Sequence, residues 1–357
     1  MALSSSWHGR SVFITGHTGF MGGWLASSLL ARGAKVHGYA LDPLEGPSFF
    51  VATGLAGRLT SSTIGDIRDG ARLRAALLSA QPEIVFHLAA QALVRAAHHA
   101  PIETFSVNVM GTAQLLEELR GVDSVRAALI VTTDKVYLND GRATPYRESD
   151  RLGGREPYST SKACCEFVVD AWRHSYLSKR GISMATIRAG NIFGGGDWAV
   201  DRLVPDAIRN FSTGRPLVLR RPQATRPWQH VMEPVAGYLL LAEHLIQDSE
   251  QFGTSWNFGP PPIDCRPVAE LARLLAAAWG HGATVRVQPE DSIFEETLLA
   301  LDSTQAETAL GWHPRWTLDT AVDRTAEWYR AHGAGRDMWE LTQQQIQQFE
   351  SVEGKTS

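Results

Sequence analysis

The sequence predicts an α/β protein built on a doubly wound parallel sheet, with a smaller α/β domain interleaved in it. Three observations carry that prediction. Short apolar, β-branched runs alternate with helix-forming stretches, the runs show no polar alternation, and a glycine-rich turn separates the first run from the first helix. Parallel strands joined by right-handed crossovers are covered on both faces, which is why they read as unbroken apolar segments.

The elements follow in order. Residues 11–15 (SVFIT) form the first strand, and residues 24–31 form a helix that closes at Gly33. A strand at 35–41, a helix at 71–80, a strand at 84–89, a helix at 112–119 and a strand at 127–132 continue the alternation. After Arg188 the texture changes: the glycines 194–196, the Arg- and Pro-rich stretch 215–234 and the segment 259–262 interrupt the pattern, which places the smaller domain there. Residues 339–349, with their run of glutamines, are expected to form a surface helix.

Composition removes several function classes. A chain of 357 residues with 44% hydrophobic content has enough apolar material for a large core. The net charge of -4, with Lys and Arg scattered, offers no basic stripe for nucleic acid. Three cysteines, Cys164 and Cys165 adjacent, make neither a disulfide framework nor a zinc spacing, so reduced thiols and a cytoplasmic location are expected. No apolar run has signal-peptide or membrane-spanning character. His98, His99 and His230 do not assemble with carboxylates into a ligand set, and no metal is expected.

Gly16, Gly19 and Gly22 in GHTGFMG stand between the first strand and first helix, where missing Cβ atoms admit a pyrophosphate to the backbone and the helix N-terminus faces its charge. This context, more than the spacing, identifies a Rossmann-type dinucleotide site. Thr18, Phe20 and Met21 belong to the same turn. The GxxGxxG spacing resembles that of the short-chain dehydrogenases. In many extended members an acidic residue ending the second strand holds the adenosine ribose; here Ala40 stands there, with Asp42 just beyond, and no Arg is placed to receive a ribose phosphate, so NAD is expected over NADP. The same resemblance puts Asp66 and Ile67 beside the adenine, and Leu88, Ala89 and Ala90 along the pyrophosphate and nicotinamide ribose.

Tyr158 and Lys162 in YSTSK lie four apart, on one face of a helix and within reach of the same ligand, and both are expected to contact the dinucleotide as well as to act in catalysis. Bringing a phenol from its ordinary pKa to near neutrality takes about 4 kcal/mol of differential stabilisation, which a desolvated lysine and a positive nicotinamide ring together would supply. Thr133, in TTDK at the carboxyl end of a strand, is placed to hydrogen-bond an oxygen being oxidised. The adjacent Asp134 and Lys135 add what simple oxidation does not need: an acid for a departing hydroxyl and a base for a proton made acidic by a neighbouring ketone. Those roles require a protonated Asp134 and a neutral Lys135, hence a desolvated site.

With these motifs the chain resembles the extended short-chain dehydrogenases over nearly its whole length, and within them the CDP-glucose 4,6-dehydratases. The resemblance rests on ITGHTGFMGGWL, HLAAQALVR, ETFSVNVMGT, YRESDRLGGREPYSTSKA, AGNIFGGGDWAVDRLVPD and RRPQATRPWQHVMEPVAGYL. Dehydratases of dTDP-glucose or GDP-mannose usually carry Asp-Glu where this sequence has Asp134-Lys135. The resemblance implies conversion of CDP-glucose to CDP-4-keto-6-deoxyglucose in deoxysugar biosynthesis, with Asn191, Arg202, Leu203, Arg226 and Gln229 around the nucleotide sugar. Arginine suits the diphosphate because its planar donors match phosphate oxygens. Trp198 and Trp228 either close the sugar pocket or belong to the core. The resemblance further implies a homodimer through helices at 102–120 and 159–177. It divides the chain into a dinucleotide domain (1–190 with 230–262), a nucleotide-sugar domain (191–229 with 263–345) and a tail (346–357). The family usually follows TTDK with Cys-Tyr and an acidic stretch containing Asn and Trp, whereas here Val136, Tyr137, Leu138, Asn139 and GRATP follow, and after HLAAQALVR Ala97 and His98 stand in place of Ser-Tyr. Those departures leave open a dehydratase or C4-epimerase acting on another GDP-, UDP- or dTDP-sugar. A nucleotide-sensing regulator on the same fold is the reading from another class.

Overall fold

The structure, a computed structural model, describes residues 5–142, 144–288 and 299–352. The ends of the first domain and tail expected from sequence (1–4 and 353–357), residues 289–298 of the second domain and Ala143 of GRATP lie outside the described residues.

Seven strands form one parallel sheet: β1 (Ser11–Thr15), β2 (Lys35–Ala40), β3 (Ser61–Ile64), β4 (Ile84–His87), β5 (Ala127–Val131), β6 (Ser183–Arg188) and, at the edge beside β6, Ser255–Asn257. The spatial order is Ser255–Asn257, β6, β5, β4, β1, β2, β3. The chain runs outward from β1 to β3 and then returns to lay β4 on the other side of β1, with Thr15 opposite both Tyr39 and His87. This reversal opens a crevice at the carboxyl ends of β1 and β4, the place where open α/β sheets take ligands.

The expected strands and helices all form, with shifted ends. Helix α1 (Phe20–Ala31) begins inside the glycine turn, not at residue 24, because Gly19 in extended backbone serves as its N-cap. The strand expected at 84–89 stops at His87, leaving Leu88 to Ala90 as a turn over the crevice. The helix at 112–119 is Gly111–Leu119, continued backward by a π-helical turn, Ser106–Met110. β3 lacked an apolar run because it is a polar, partly exposed edge strand. β6 is buried throughout, and its terminal Arg188 hides a charge that Glu166 neutralises.

Beyond the sheet, three small pairings organise the less regular half: Ile192–Phe193 with Gln229–His230, Thr225–Pro227 with Cys265–Pro267, and Leu217–Leu219 with Val285–Val287. The expected surface helix is Met338–Ser351, and one of its faces is core: Met338, Leu341, Ile346 and Phe349 are buried with Thr342 and Gln345. These fall at helical spacing among glutamines that masked the pattern in the sequence. The helix packs on α1 and on Leu318–Gly333, and Glu350 pairs with Arg32. Among the described residues no helix is long and apolar enough to cross a membrane.

Candidate active site

At the carboxyl end of β1 the glycine turn is dictated by close approach. Gly16 has φ +80°, and a Cβ on it would lie 2.8 Å from the Ala89 nitrogen; a Cβ on Gly22 would lie 2.2 Å from the Gly16 oxygen. Only glycine fits either position. Gly19 is exposed at the start of α1, so the first turn of a twelve-residue helix presents its free N–H groups outward. The Thr15 hydroxyl accepts from the Leu88 and Ala89 nitrogens at 3.2 Å each and meets His87 Nδ1 at 2.7 Å, while His87 Nε2 meets Thr112 at 3.0 Å. Burial holds His87 neutral, its pKa lowered to about 3. The Thr18 hydroxyl donates to the Leu41 carbonyl (3.0 Å), tying the turn to the end of β2, and Phe20 and Met21 are half-buried beside it.

Gly16, Gly19, Leu88, Ala89 and Ala90 are thus gathered at the carboxyl ends of β1 and β4, with Gly22 buried against Gly16, an arrangement that fits a dinucleotide. Ala40 is buried at the end of β2, and Asp42 beyond it is exposed. Asp66 follows β3 farther along the same edge of the sheet. Its carboxylate is engaged by Arg68 at 2.6 Å, which holds its pKa below the usual range. Ile67 is buried against Gly111, where a Cβ would come within 2.5 Å of it.

The TTDK segment turns directly off β5. Thr133 caps a short 3-10 turn, Asp134–Val136, by accepting from the Lys135 nitrogen. Its hydroxyl donates to Asp134 Oδ1 at 2.9 Å, and Asn191 Nδ2 donates to Asp134 Oδ2 at 3.3 Å. Asn191 reaches it from a left-handed backbone, φ +49°. The preceding Gly190 makes room, since a Cβ there would lie 1.9 Å from Asp134 Oδ2. Asp134 is only 2% exposed, and burial raises its pKa against the attraction of Lys135, the direction an acid in this role requires. Lys135 is half-buried beside it.

Tyr158 and Lys162 sit in the first turns of the helix Pro157–Trp172. Pro157 is its first residue, and a capping box joins Glu156 and Ser159, with Glu156 accepting from the Ser159 and Tyr158 nitrogens. The Thr133 hydroxyl acts on the Tyr158 phenol, which sets TTDK beside YSTSK. Within the protein itself burial pushes the Tyr158 phenol up to about 12, because desolvating a phenolate outweighs the nearby hydroxyl and positive charge; the expected lowering calls on the charge of a bound nicotinamide in addition. The Lys162 ammonium donates to the Val131 carbonyl at 2.9 Å, and its own pKa is drawn down by burial.

Of the residues expected around a substrate, Asn191 touches the catalytic turn. Arg202 stands at the N-cap of the helix Leu203–Phe211, pairs with Asp197 at 3.3 Å, and its charge acts on Tyr158; Leu203 is half-buried behind it. The charge of Arg226 acts on Asp134. Gln229 is buried instead, and its Nε2 donates to the Gly190 (3.2 Å) and Phe258 (2.8 Å) carbonyls, bracing the backbone behind Asp134. The tryptophans resolve toward packing: Trp228 is buried with its indole N–H on the Arg266 carbonyl, and Trp198 packs edge-on against Trp328 and Tyr329. His98 and His99 are exposed, His230 is enclosed by Trp24, Phe193 and Trp316, and no metal-binding group of His, Cys, Asp and Glu exists among the described residues.

Sequence reasoning passed over Asn108, buried in the π-helical turn. Its amide donates to the Gln91 carbonyl (3.0 Å) and the Ser161 hydroxyl (2.9 Å), and its oxygen accepts from the Gln91 nitrogen (2.8 Å). It therefore locks the loop after β4 to the helix of Tyr158. A polar residue inside the otherwise apolar ETFSVNVMGT was the available signal.

The model of the family described as GDP-mannose 4,6 dehydratase matches residues 13–325. The CDP-glucose 4,6-dehydratase of Salmonella typhimurium is 43% identical over 351 residues, covering 97% of this chain and 98% of that protein. A dTDP-glucose 4,6-dehydratase of Xanthomonas campestris is 27% identical, covering 88% and 92%. Among solved structures, the UDP-glucose 4-epimerase of Thermus thermophilus in complex with NAD superposes with a TM-score of 0.74 at 23% identity, over 89% of this chain and 98% of that one, a likeness of fold.

Proposed function

Because the chain belongs to the GDP-mannose 4,6 dehydratase family, we propose that it is an NAD-dependent CDP-glucose 4,6-dehydratase, forming CDP-4-keto-6-deoxyglucose and water. The observation that carries this reading is the buried Asp134, adjacent to Lys135, hydrogen-bonded by Thr133 and close enough for its charge to act on Tyr158, in a chain 43% identical to a CDP-glucose 4,6-dehydratase along nearly all its length. The glycine crevice and the NAD of the Thermus enzyme support the cofactor assignment.

NAD, when bound, accepts hydride from sugar C4 and later returns it to C6. Thr133 orients the C4 hydroxyl and Tyr158 takes its proton, aided by Lys162 one turn away. The resulting ketone acidifies C5, whose proton passes to Lys135. Asp134 protonates the C6 hydroxyl, which leaves as water, and as C6 receives its hydride the protonated Lys135 gives the proton back to C5. Asn191, Arg202, Leu203 and Arg226 take the nucleotide-sugar side of the site, while Gln229 acts through the Gly190 backbone. Asp66, Ile67 and the glycine turn hold the dinucleotide. The expected division into a dinucleotide domain (1–190 with 230–262), a nucleotide-sugar domain (191–229 with 263–345) and a tail follows the same assignment. A homodimer is supported by Ile102, Met110 and Phe167, which are 83%, 61% and 62% exposed on the two helical segments expected at the interface. A cytoplasmic enzyme fits this chemistry.

The test is incubation of the NAD-loaded protein with CDP-glucose, dTDP-glucose, GDP-mannose and UDP-N-acetylglucosamine separately, following loss of one water by mass spectrometry. Loss from CDP-glucose alone is the expected result. Loss only from another donor overturns the substrate, and loss from none overturns the dehydratase. Gly190→Ala is expected to displace the Asp134 carboxyl and slow dehydration by roughly 100-fold while the dinucleotide stays bound. Steady-state rates and cofactor content of the purified variant check this.

A further inference from the structure

Tyr137 lies two residues past Lys135 and is 1% exposed. Its hydroxyl donates to Asn257 Oδ1 at 2.7 Å and accepts from Arg188 Nη1 at 2.8 Å. Arg188 in turn grips Glu166 with two hydrogen bonds of 3.0 Å, a fork-on-carboxylate pair whose side chains are 3% and 4% exposed. Glu166 also accepts from the Thr132 and Thr186 hydroxyls at 2.7 and 2.6 Å. The pair is thereby satisfied on nearly every polar atom, the condition under which a buried ion pair is tolerated.

The sequence positions of these partners give the network its meaning. Glu166 is one helical turn beyond Lys162 and two beyond Tyr158. Thr132 directly precedes Thr133. Arg188 ends β6, two residues before the Gly190 that admits the Asp134 carboxyl. Tyr137 leaves the turn that carries Asp134 and Lys135. One ion pair therefore contacts each segment that supplies a reacting group, and the Tyr137 hydroxyl is its side-chain link to the acid–base turn. The Arg188 guanidinium also lies 4.9 Å from the Tyr137 ring centroid, and the ring stacks on Tyr146 at 5.1 Å, so ring and hydroxyl are fixed together.

We propose that Tyr137, seated on the Glu166–Arg188 pair, is a positioning residue for the elimination half-reaction: it sets Lys135 and Asp134 in register with a sugar already oxidised at Tyr158. The proposal rests on the dehydratase reading. Oxidation depends on Thr133, Tyr158 and Lys162, which the network reaches through Thr132 and the helix of Glu166, whereas Lys135 and Asp134 lie between that end of the turn and Tyr137. Loss of the hydroxyl leaves Arg188 Nη1 with the Glu148 carbonyl and takes from Asn257 Oδ1 its donor, so the segment carrying Tyr137 is held less firmly.

The experiment mixes NAD-loaded wild type, Tyr137→Phe and Ser255→Ala rapidly with CDP-glucose and follows reduced-nicotinamide absorbance together with water loss. Ser255 hydrogen-bonds Arg188 Nη2 and Glu166, whereas Tyr137 is bonded to Arg188 Nη1. In Tyr137→Phe, oxidation is expected at the wild-type rate and elimination about 100-fold slower, so reduced cofactor accumulates. Ser255→Ala is expected to melt earlier with an unchanged ratio of the two rates. Asn257→Ser removes the acceptor of the same hydroxyl, is expected to shift the ratio in the same direction, and decides the matter where Tyr137→Phe yields no folded protein. Equal slowing of both steps, or no slowing of either, in whichever of these two variants folds overturns the proposal alone. A wild type that dehydrates no donor overturns the dehydratase reading and this proposal with it.

Discussion

Lys135→Met is expected to stop water loss almost completely while leaving C4 oxidation in place. The base that removes the C5 proton is worth about 10²–10⁴-fold, and Met keeps the length of the side chain, so the turn around buried Asp134 and Val136 is conserved. Mixed with CDP-glucose, the variant should hold its cofactor reduced and release little product, which absorbance and mass spectrometry report side by side. The companion Asp134→Asn should also stall after oxidation, since it cannot supply the proton for the leaving hydroxyl. Its pH behaviour has a definite sign. Burial raises the Asp134 pKa, so the protonated, competent form is complete below the ordinary carboxylate range and is lost as pH rises through the raised value. The wild-type elimination rate should therefore fall on the alkaline side, and the stability that this carboxyl lends the fold should decline over the same window. An elimination rate in Lys135→Met equal to wild type would assign the base elsewhere.

Tyr158→Phe is expected to affect an earlier step. Removal of the phenol deletes the acceptor of the C4 hydroxyl proton, so oxidation itself should fall by about 10²–10⁴-fold and no reduced cofactor should build up. The ring stays in its buried seat, the capping box of Glu156 and Ser159 is untouched, and Lys162 keeps its bond to Val131, so dinucleotide content should be unchanged. Because burial, the largest influence on the phenol, leaves it up to about 12, ionisation needs positive charge from the loaded site. A spectroscopic titration of the tyrosines should accordingly show Tyr158 ionising at lower pH in the holoenzyme than in protein freed of cofactor. The two variants thus separate the halves of the reaction, one blocked before the ketone and the other after it.

The parts of this molecule legible in the sequence are those written in contiguous residues. The glycine turn, TTDK and YSTSK each carry their chemistry in a few positions, and β1, β4 and β5 are unbroken apolar runs. What stayed hidden is made by residues far apart in sequence. Gln229 has the composition of a ligand contact, yet its amide is consumed by two backbone carbonyls that only the fold brings near. Arg188 and Glu166 look like separate charges until β6 and the helix Pro157–Trp172 set them face to face. β3 escaped notice because an edge strand needs no apolar alternation. The helix Met338–Ser351 hid its buried stripe among glutamines, whose long polar chains also fill the seam.

That helix joins regions at opposite ends of the chain. It lies on α1, the helix behind the glycine turn, with Glu350 on Arg32 and the Gln343 amide near the Ser27 carbonyl. On a translating ribosome, the dinucleotide turn emerges among the first residues, but its supporting helix keeps an apolar flank bare until residues 338–351 have been made. Cofactor capture is accordingly expected late in the life of the nascent polypeptide, and a stalled chain ending near residue 335 should retain far less NAD than the completed one. Ribosome-bound intermediates released by nuclease and assayed for bound dinucleotide would show it.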